Sequence, residues 1–223
     1  MKIINKISNK INDYIPRYAI VPLMLCVTFN FSVYWGVRLF YDDRIFHDLT
    51  TYLDERIPLL PIFVVIYLGS YAFWITNYIL ISRINKEQCY RLITADLLGK
   101  LICGLIYILY PTTNIRPDIT STGIFVDMLK FLYSIDAANN LFPSIHCLVS
   151  WYCYAGIRNC KAIPKWYRCV SLLVALMICI STVTTKQHVI VDVFGGVMLA
   201  EITWQLSLYL QVHRAKKLIN QEA

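Results

Sequence analysis

The chain has 223 residues, 57% hydrophobic and 16% charged, with a formal net charge of +7 and a mean hydropathy of +0.53. A soluble domain carries about 45–50% apolar and about 25% charged residues, so an ordinary soluble domain and a disordered chain are both excluded. A polytopic membrane protein remains, and its basic residues must be sorted by membrane side before any other partner is weighed; no nucleic acid is expected.

Residues 1–17 come first. Lys2, Lys6 and Lys10 recur every four residues, as do Ile3, Ile7 and Ile11. Two such stripes make either an amphipathic helix on an anionic leaflet or a basic tail. Apolar runs of spanning length follow: Tyr18–Tyr41, Pro58–Ser82, Leu92–Pro111, His146–Ile157, Cys169–Thr182 and Val189–Val212. The fourth and fifth are short and need flanking residues to cross. The expected architecture is an all-α integral membrane bundle of about six transmembrane helices. The expected organisation is a basic cytoplasmic segment (1–17), one transmembrane domain (18–213) and a cytoplasmic tail (214–223). The eight cysteines contain no CxxC pair. They read as small buried hydrophobes rather than a zinc site.

The charges alternate with these spans. Lys2 to Arg17, Arg83 to Arg91, Arg158 to Arg168 and Arg214 to Lys217 fall on one side. Arg38, Arg44, Arg56, Arg116, Lys130 and Lys186 fall on the other, together with Asp42, Asp43, Asp48, Asp54, Glu55, Asp118, Asp127 and Asp136. The positive-inside rule makes the first side cytoplasmic and places both termini there. The outer side then collects Arg116, Phe142–His146 and Thr184–His188.

In Thr185-Lys186-Gln187-His188-Val189-Ile190-Val191-Asp192, a histidine and an aspartate four apart at a helix start share one face. A carboxylate one turn inside an apolar segment needs a partner. A hydrogen bond from the His188 ring to Asp192 would fix the tautomer and leave the other nitrogen as a directed lone pair. The alternative is a structural clip on a helix end. In Pro143-Ser144-Ile145-His146, the proline opens a helix whose free N–H groups attract an anion. Ser144 adds a hydroxyl and His146 a proton; the alternative is an ordinary helix start. Arg116 can grip phosphate in bidentate fashion, with Lys186 as a second cation. Two histidines, an oriented aspartate, a serine, an arginine and a lysine on one face suit phosphoryl transfer through a phosphohistidine. His188 would attack phosphorus, His146 would protonate the leaving oxygen, and Arg116, Ser144 and Lys186 would hold the phosphate. Neither a metal nor a cofactor is called for.

These motifs resemble the type 2 phosphatidic acid phosphatase superfamily, which includes lipid phosphate phosphatases and, on the same helical core, vanadium haloperoxidases. Arg116-Pro117 looks like the end of its first motif, Pro143-Ser144-Ile145-His146 like its second, and Ser181 to Asp192 has the spacing of its third. Leu109 stands where the family has lysine, Thr182 where it has arginine and Ile145 where it has glycine. Lys186 and Lys100 are the candidates to replace the two cations, although Asp96 stands four residues before Lys100 and makes an internal ion pair the plainer account. The pattern is most similar to the inositol-phosphorylceramide and sphingomyelin synthase branch. The resemblance implies a lipid-phosphate phosphatase on the extracytoplasmic face of the cell membrane. A lipid phosphotransferase on the same residues is the first alternative. A transporter or scaffold, to which Glu201 in the last span points, is the second.

Overall fold

The computed structural model of the protein describes residues 13–40 and 44–222, with side chains through Lys217. The expected stripes of residues 1–12, and Asp42 and Asp43, lie outside the described residues. Eight α-helices are described: α1 (Arg17–Gly36), α2 (Tyr52–Arg56), α3 (Val64–Ile84), α4 (Lys86–Leu109), α5 (Ile124–Ile135), α6 (Ile145–Ala155), α7 (Lys165–Thr184) and α8 (Ile190–Glu222). Short 3-10 turns at Val37–Phe40 and Pro61–Phe63 extend α1 and precede α3. Two-residue strands, β1 (His47–Asp48) and β2 (Thr112–Thr113), pair in parallel and pin two loops together at one end of the bundle.

Five stretches are long and apolar enough to cross a membrane among the described residues: Arg17–Phe40, Pro61–Ile84, Lys86–Leu109, Lys165–Thr184 and Ile190–Lys217. The chain is therefore a multi-pass, all-α membrane bundle. The fourth expected span, His146–Ile157, is α6, whose 11 residues rise only about 16 Å at 1.5 Å per residue. It is nevertheless drawn along the length of α4. Tyr107, near the end of α4, donates to the Pro143 carbonyl (2.6 Å), and Gln88, near its start, donates to the Gly156 carbonyl (2.7 Å). Helix α4 begins at Lys86, six residues before the expected Leu92 and nearly two turns earlier than hydropathy alone suggests. Asn85 accepts from the Gln88 N–H and caps it, which takes the polar stretch Lys86–Arg91 into the helix. Helix α8 likewise runs on through the expected tail, to Glu222.

The core is a lens of large side chains between α3, α4, α6 and α8, built on Ile81, Leu92, Leu148, Tyr152 and Trp204. Many other apolar side chains, among them Val21, Phe31, Ile75, Leu105, Leu173 and Met198, stay exposed on the spanning helices. In water that surface would drive aggregation; against lipid it is the expected exterior. Helices α6 and α8 approach closely because Gly195 and Gly196 face α6. A Cβ on Gly196 would stand 2.4 Å from the Ser144 carbonyl oxygen, and one on Gly195 2.4 Å from the Phe142 ring. Close helix packing is thus the role of this glycine pair.

The described members of the two charge sets lie at opposite ends of the bundle. At one end Arg83 holds the carbonyls of Asp13 and Tyr14, and Arg158 pairs with Glu201. At the other lie the start of α3, the end of α4, the start of α6, the end of α7 and the start of α8. Arg116, Asp136 and Lys186 meet there with both histidines.

Candidate active site

Ser144 starts α6. Its hydroxyl oxygen accepts from the Cys147 N–H at 3.3 Å, an N-cap. The N–H groups of Ile145 and His146 have no partners among the described residues. The Ser144 N–H donates to the Asp192 carbonyl (3.1 Å), which locks the start of α6 onto α8.

The turn between α7 and α8 places His188. Gln187 and His188 both donate their N–H to the Thr182 carbonyl, at 3.0 Å each, with Lys186 between at φ 55°. His188 Nδ1 is 3.2 Å from Asp192 Oδ2, and the same oxygen accepts from the Val189 N–H at 3.0 Å. The i, i+4 pair expected from spacing is therefore present, with Asp192 fully buried. Asp192 Oδ1 has no partner among the described residues.

The His146 and His188 rings lie 6.1 Å apart, inclined at 56°. His146 Nε2 is shielded from solvent and has no partner among the described residues. Burial opposes charge on the His188 ring, but the hydrogen bond it donates to the Asp192 carboxylate and that group's charge outweigh burial, so its pKa is raised above the usual histidine value. The Nδ1 of His146 meets the Tyr67 hydroxyl at 3.4 Å rather than a carboxylate.

Arg116 donates to the Asp136 carbonyl at 2.5 Å and to Gln187 Oε1 at 2.6 Å. Its guanidinium stacks on Tyr133, 4.5 Å from the ring centre. Burial lowers its pKa, against the pull of Asp136, and an arginine stays charged regardless. It reaches the histidines through the residue preceding His188. Gln187 Nε2, Arg116 Nε and Asn114 Oδ1 are buried without partners, so this corner of the site has unmet hydrogen-bonding capacity.

Lys186 is differently engaged. Its ammonium donates to the Asp54 carbonyl at 2.7 Å, and burial lowers its pKa, opposed by Asp54. The Asp54 carboxylate caps α8, with Oδ1 accepting from the Ile190 N–H at 2.7 Å. The first free N–H groups of α8 are thus taken by Asp54 and Asp192. The open helix N-terminus at this site belongs to α6.

The candidate replacement cations fare unequally. Leu109 is 79% exposed, far from any gripping role, and Thr182 is buried with its hydroxyl on the Cys179 carbonyl. Lys100 is held in α4 by Asp96 (2.9 Å), which also accepts from Tyr78 (2.7 Å). It is an internal ion pair about two turns from the site end of α4. Glu201 is also paired, accepting from Arg158 and from the Trp151 indole (2.7 Å). That makes it a clip between α6 and α8 rather than a free carboxylate.

Sequence reasoning missed three side chains. Tyr67, Tyr71 and Trp74 on α3 enclose His146, with ring centres 4.3, 6.0 and 5.1 Å from the imidazole. Their 67–71–74 spacing puts them on one helix face, a weak signal inside an apolar run. Asp136 and Asp54 carried no motif at all.

The family profile described as PAP2 superfamily matches residues 90–216. The match spans more than half of the chain and takes in both histidines and Asp192, so the protein belongs to this superfamily, a group of membrane phosphatases and related phosphotransferases. No curated protein and no solved structure matches the chain.

Proposed function

We propose that the protein removes the phosphate of a lipid phosphomonoester or pyrophosphate through a phosphohistidine on His188. The observation that carries this is the pair of imidazoles 6.1 Å apart, His188 buried and His146 half-buried, of which only His188 has a carboxylate on its Nδ1 among the described residues. With Nδ1–H held by Asp192, the Nε2 lone pair of His188 attacks phosphorus. The bond from phosphorus to the lipid oxygen breaks, and that oxygen takes both electrons and the Nε2 proton of His146. Water then attacks the phosphohistidine, His146 accepts its proton, and inorganic phosphate leaves. Arg116, the Ser144 hydroxyl and the open N–H groups of α6 hold the equatorial oxygens. Lys186 would join them only by leaving Asp54. Replacing His188 by alanine in purified protein and measuring phosphate release from a panel of lipid phosphates tests the assignment; undiminished turnover would sink it.

The alternation of basic loops supports a site on the extracytoplasmic face of the cell membrane and cytoplasmic termini. A second reading has its own support. Arg116 is the arginine that reaches the site, Lys186 is turned to Asp54, and Asp136 brings negative charge close by. A singly charged phosphodiester suits this field better than a phosphomonoester dianion, as in transfer of a phosphoinositol or phosphocholine-type headgroup to a lipid alcohol. Mass spectrometry of products formed with and without an added lipid alcohol separates the two: free phosphate supports the phosphatase, and a new phosphodiester supports the transferase.

A further inference from the structure

The His188–Asp192 pair has a counterpart behind His146. Tyr67 is buried to 1% exposure, and its ring stacks on His146 at 26°. Its hydroxyl lies 3.4 Å from His146 Nδ1 and 3.5 Å from Asp136 Oδ2. Both contacts are long, as catalytic hydrogen bonds often are before substrate binds. Asp136 is itself fixed. Its Oδ1 accepts from the Tyr34 hydroxyl at 2.8 Å, and Arg38 donates to that hydroxyl at 2.7 Å. Its backbone carbonyl holds Arg116. Helix α1, helix α3 and the segment after α5 thus converge behind one nitrogen of His146, while the other nitrogen is shielded from solvent and has no partner among the described residues.

A phenol has one proton to donate. A carboxylate is the stronger acceptor for it, which leaves the phenol oxygen free to accept from Nδ1–H. We propose that Tyr67 and Asp136 form a positioning relay, carboxylate to phenol to imidazole, that aims the Nε2–H of His146 at the leaving oxygen. The inference rests on the reading above, in which His146 is the proton donor. As the ester breaks, the Nε2–H bond breaks and an O–H bond forms on the lipid oxygen, which keeps the electron pair of the P–O bond. The neutral imidazole that remains still donates Nδ1–H to Tyr67. The two histidines are then distinguished by the partner on Nδ1. A direct carboxylate makes His188 a strong nucleophile. An interposed hydroxyl couples His146 to its carboxylate more weakly, so His146 yields its proton.

The test compares Tyr67→Phe, Asp136→Asn and His146→Gln, each purified as the full chain, on an alkyl phosphate and an aryl phosphate. The poor alkoxide leaving group needs the proton; the aryloxide does not. General acid catalysis contributes about 10²- to 10⁴-fold. The relay predicts a loss of about 10- to 100-fold in kcat for Tyr67→Phe on the alkyl ester, a small part of that on the aryl ester, and KM nearly unchanged. Asp136→Asn should follow the same pattern more weakly. Equal losses on both esters, or none, in Tyr67→Phe and Asp136→Asn while His146→Gln keeps the leaving-group dependence would overturn the relay alone. Equal losses on both esters in His146→Gln would overturn the proton-donor reading and the relay with it.

Discussion

Asp192→Asn is a clean perturbation because one carboxylate oxygen makes both contacts. Oδ2 accepts from Val189 N–H at 3.0 Å and pairs with His188 Nδ1 at 3.2 Å, while Oδ1 has no partner among the described residues. The amide must put its oxygen in the Oδ2 position. The flipped amide would set its NH₂ against the Val189 N–H and strand a buried donor, at about 1–3 kcal/mol. The substitution therefore keeps both Oδ2 contacts and the tautomer and removes the charge, with the NH₂ in the place of Oδ1. A hydrogen bond to a charged group contributes about 1.5–3 kcal/mol and a neutral one about 0.5–1.5. The difference of roughly 1.4 kcal/mol corresponds to about a tenfold lower kcat/KM on the pH plateau. The direction along the pH axis is a second readout. Asp192 raises the pKa of His188, and attack needs the neutral ring, so wild-type activity rises with pH through a pKa above the ordinary histidine value. Without the charge this acid limb moves to lower pH. Phosphate release in detergent micelles across a pH series measures both. An acid limb that stays in place or moves upward would refute the pairing as the source of nucleophilicity.

Four further outcomes are expected. Arg116→Lys loses the fork that spans the Asp136 carbonyl and Gln187, and kcat/KM should fall by about 10- to 100-fold, measured by steady-state phosphate release. Gly196→Ala drives a methyl against the Ser144 carbonyl and displaces α6 with His146; turnover should fall at least about 10²-fold, with Gly195→Ala, which meets only the Phe142 ring, milder. Asp54→Ala strips the cap from Ile190 N–H, and thermal unfolding should report about 1–2 kcal/mol lost. Glu201→Gln weakens a partly exposed pair with Arg158, worth about 0–1 kcal/mol; turnover should stay within about twofold, whereas a carboxylate serving an ion path would not tolerate the change.

The parts of this protein that could be read from sequence are those set by local periodicity. Spanning helices declare themselves by length and hydropathy, and His188–Asp192 by its i, i+4 spacing. Pro143-Ser144 announces a capped helix, and one does begin at Ile145. The short α6 kept its place in the order of spans but not the length of a span, because packing on α4 and the glycines of α8, not hydropathy, sets its extent. Helix α5 was missed because it is amphipathic and too short to span: Val126, Leu129 and Leu132 are buried, and Leu129 and Leu132 pack with Val64 and Tyr67. Lys186 was expected at the phosphate on proximity in sequence, yet the left-handed turn at that residue accompanies an ammonium held on Asp54. Tyr67 and Asp136 stand 69 residues apart. Only the tertiary fold brings them behind His146.

The most direct test of the central claim is to find the phosphoryl group. Acid-sparing digestion and mass spectrometry of protein quenched during turnover with a phosphate-labelled lipid substrate should place the label on His188, with His146→Gln accumulating more of it from an aryl ester as the water step slows. Label on His146, or turnover with no phosphohistidine at all, would contradict the account.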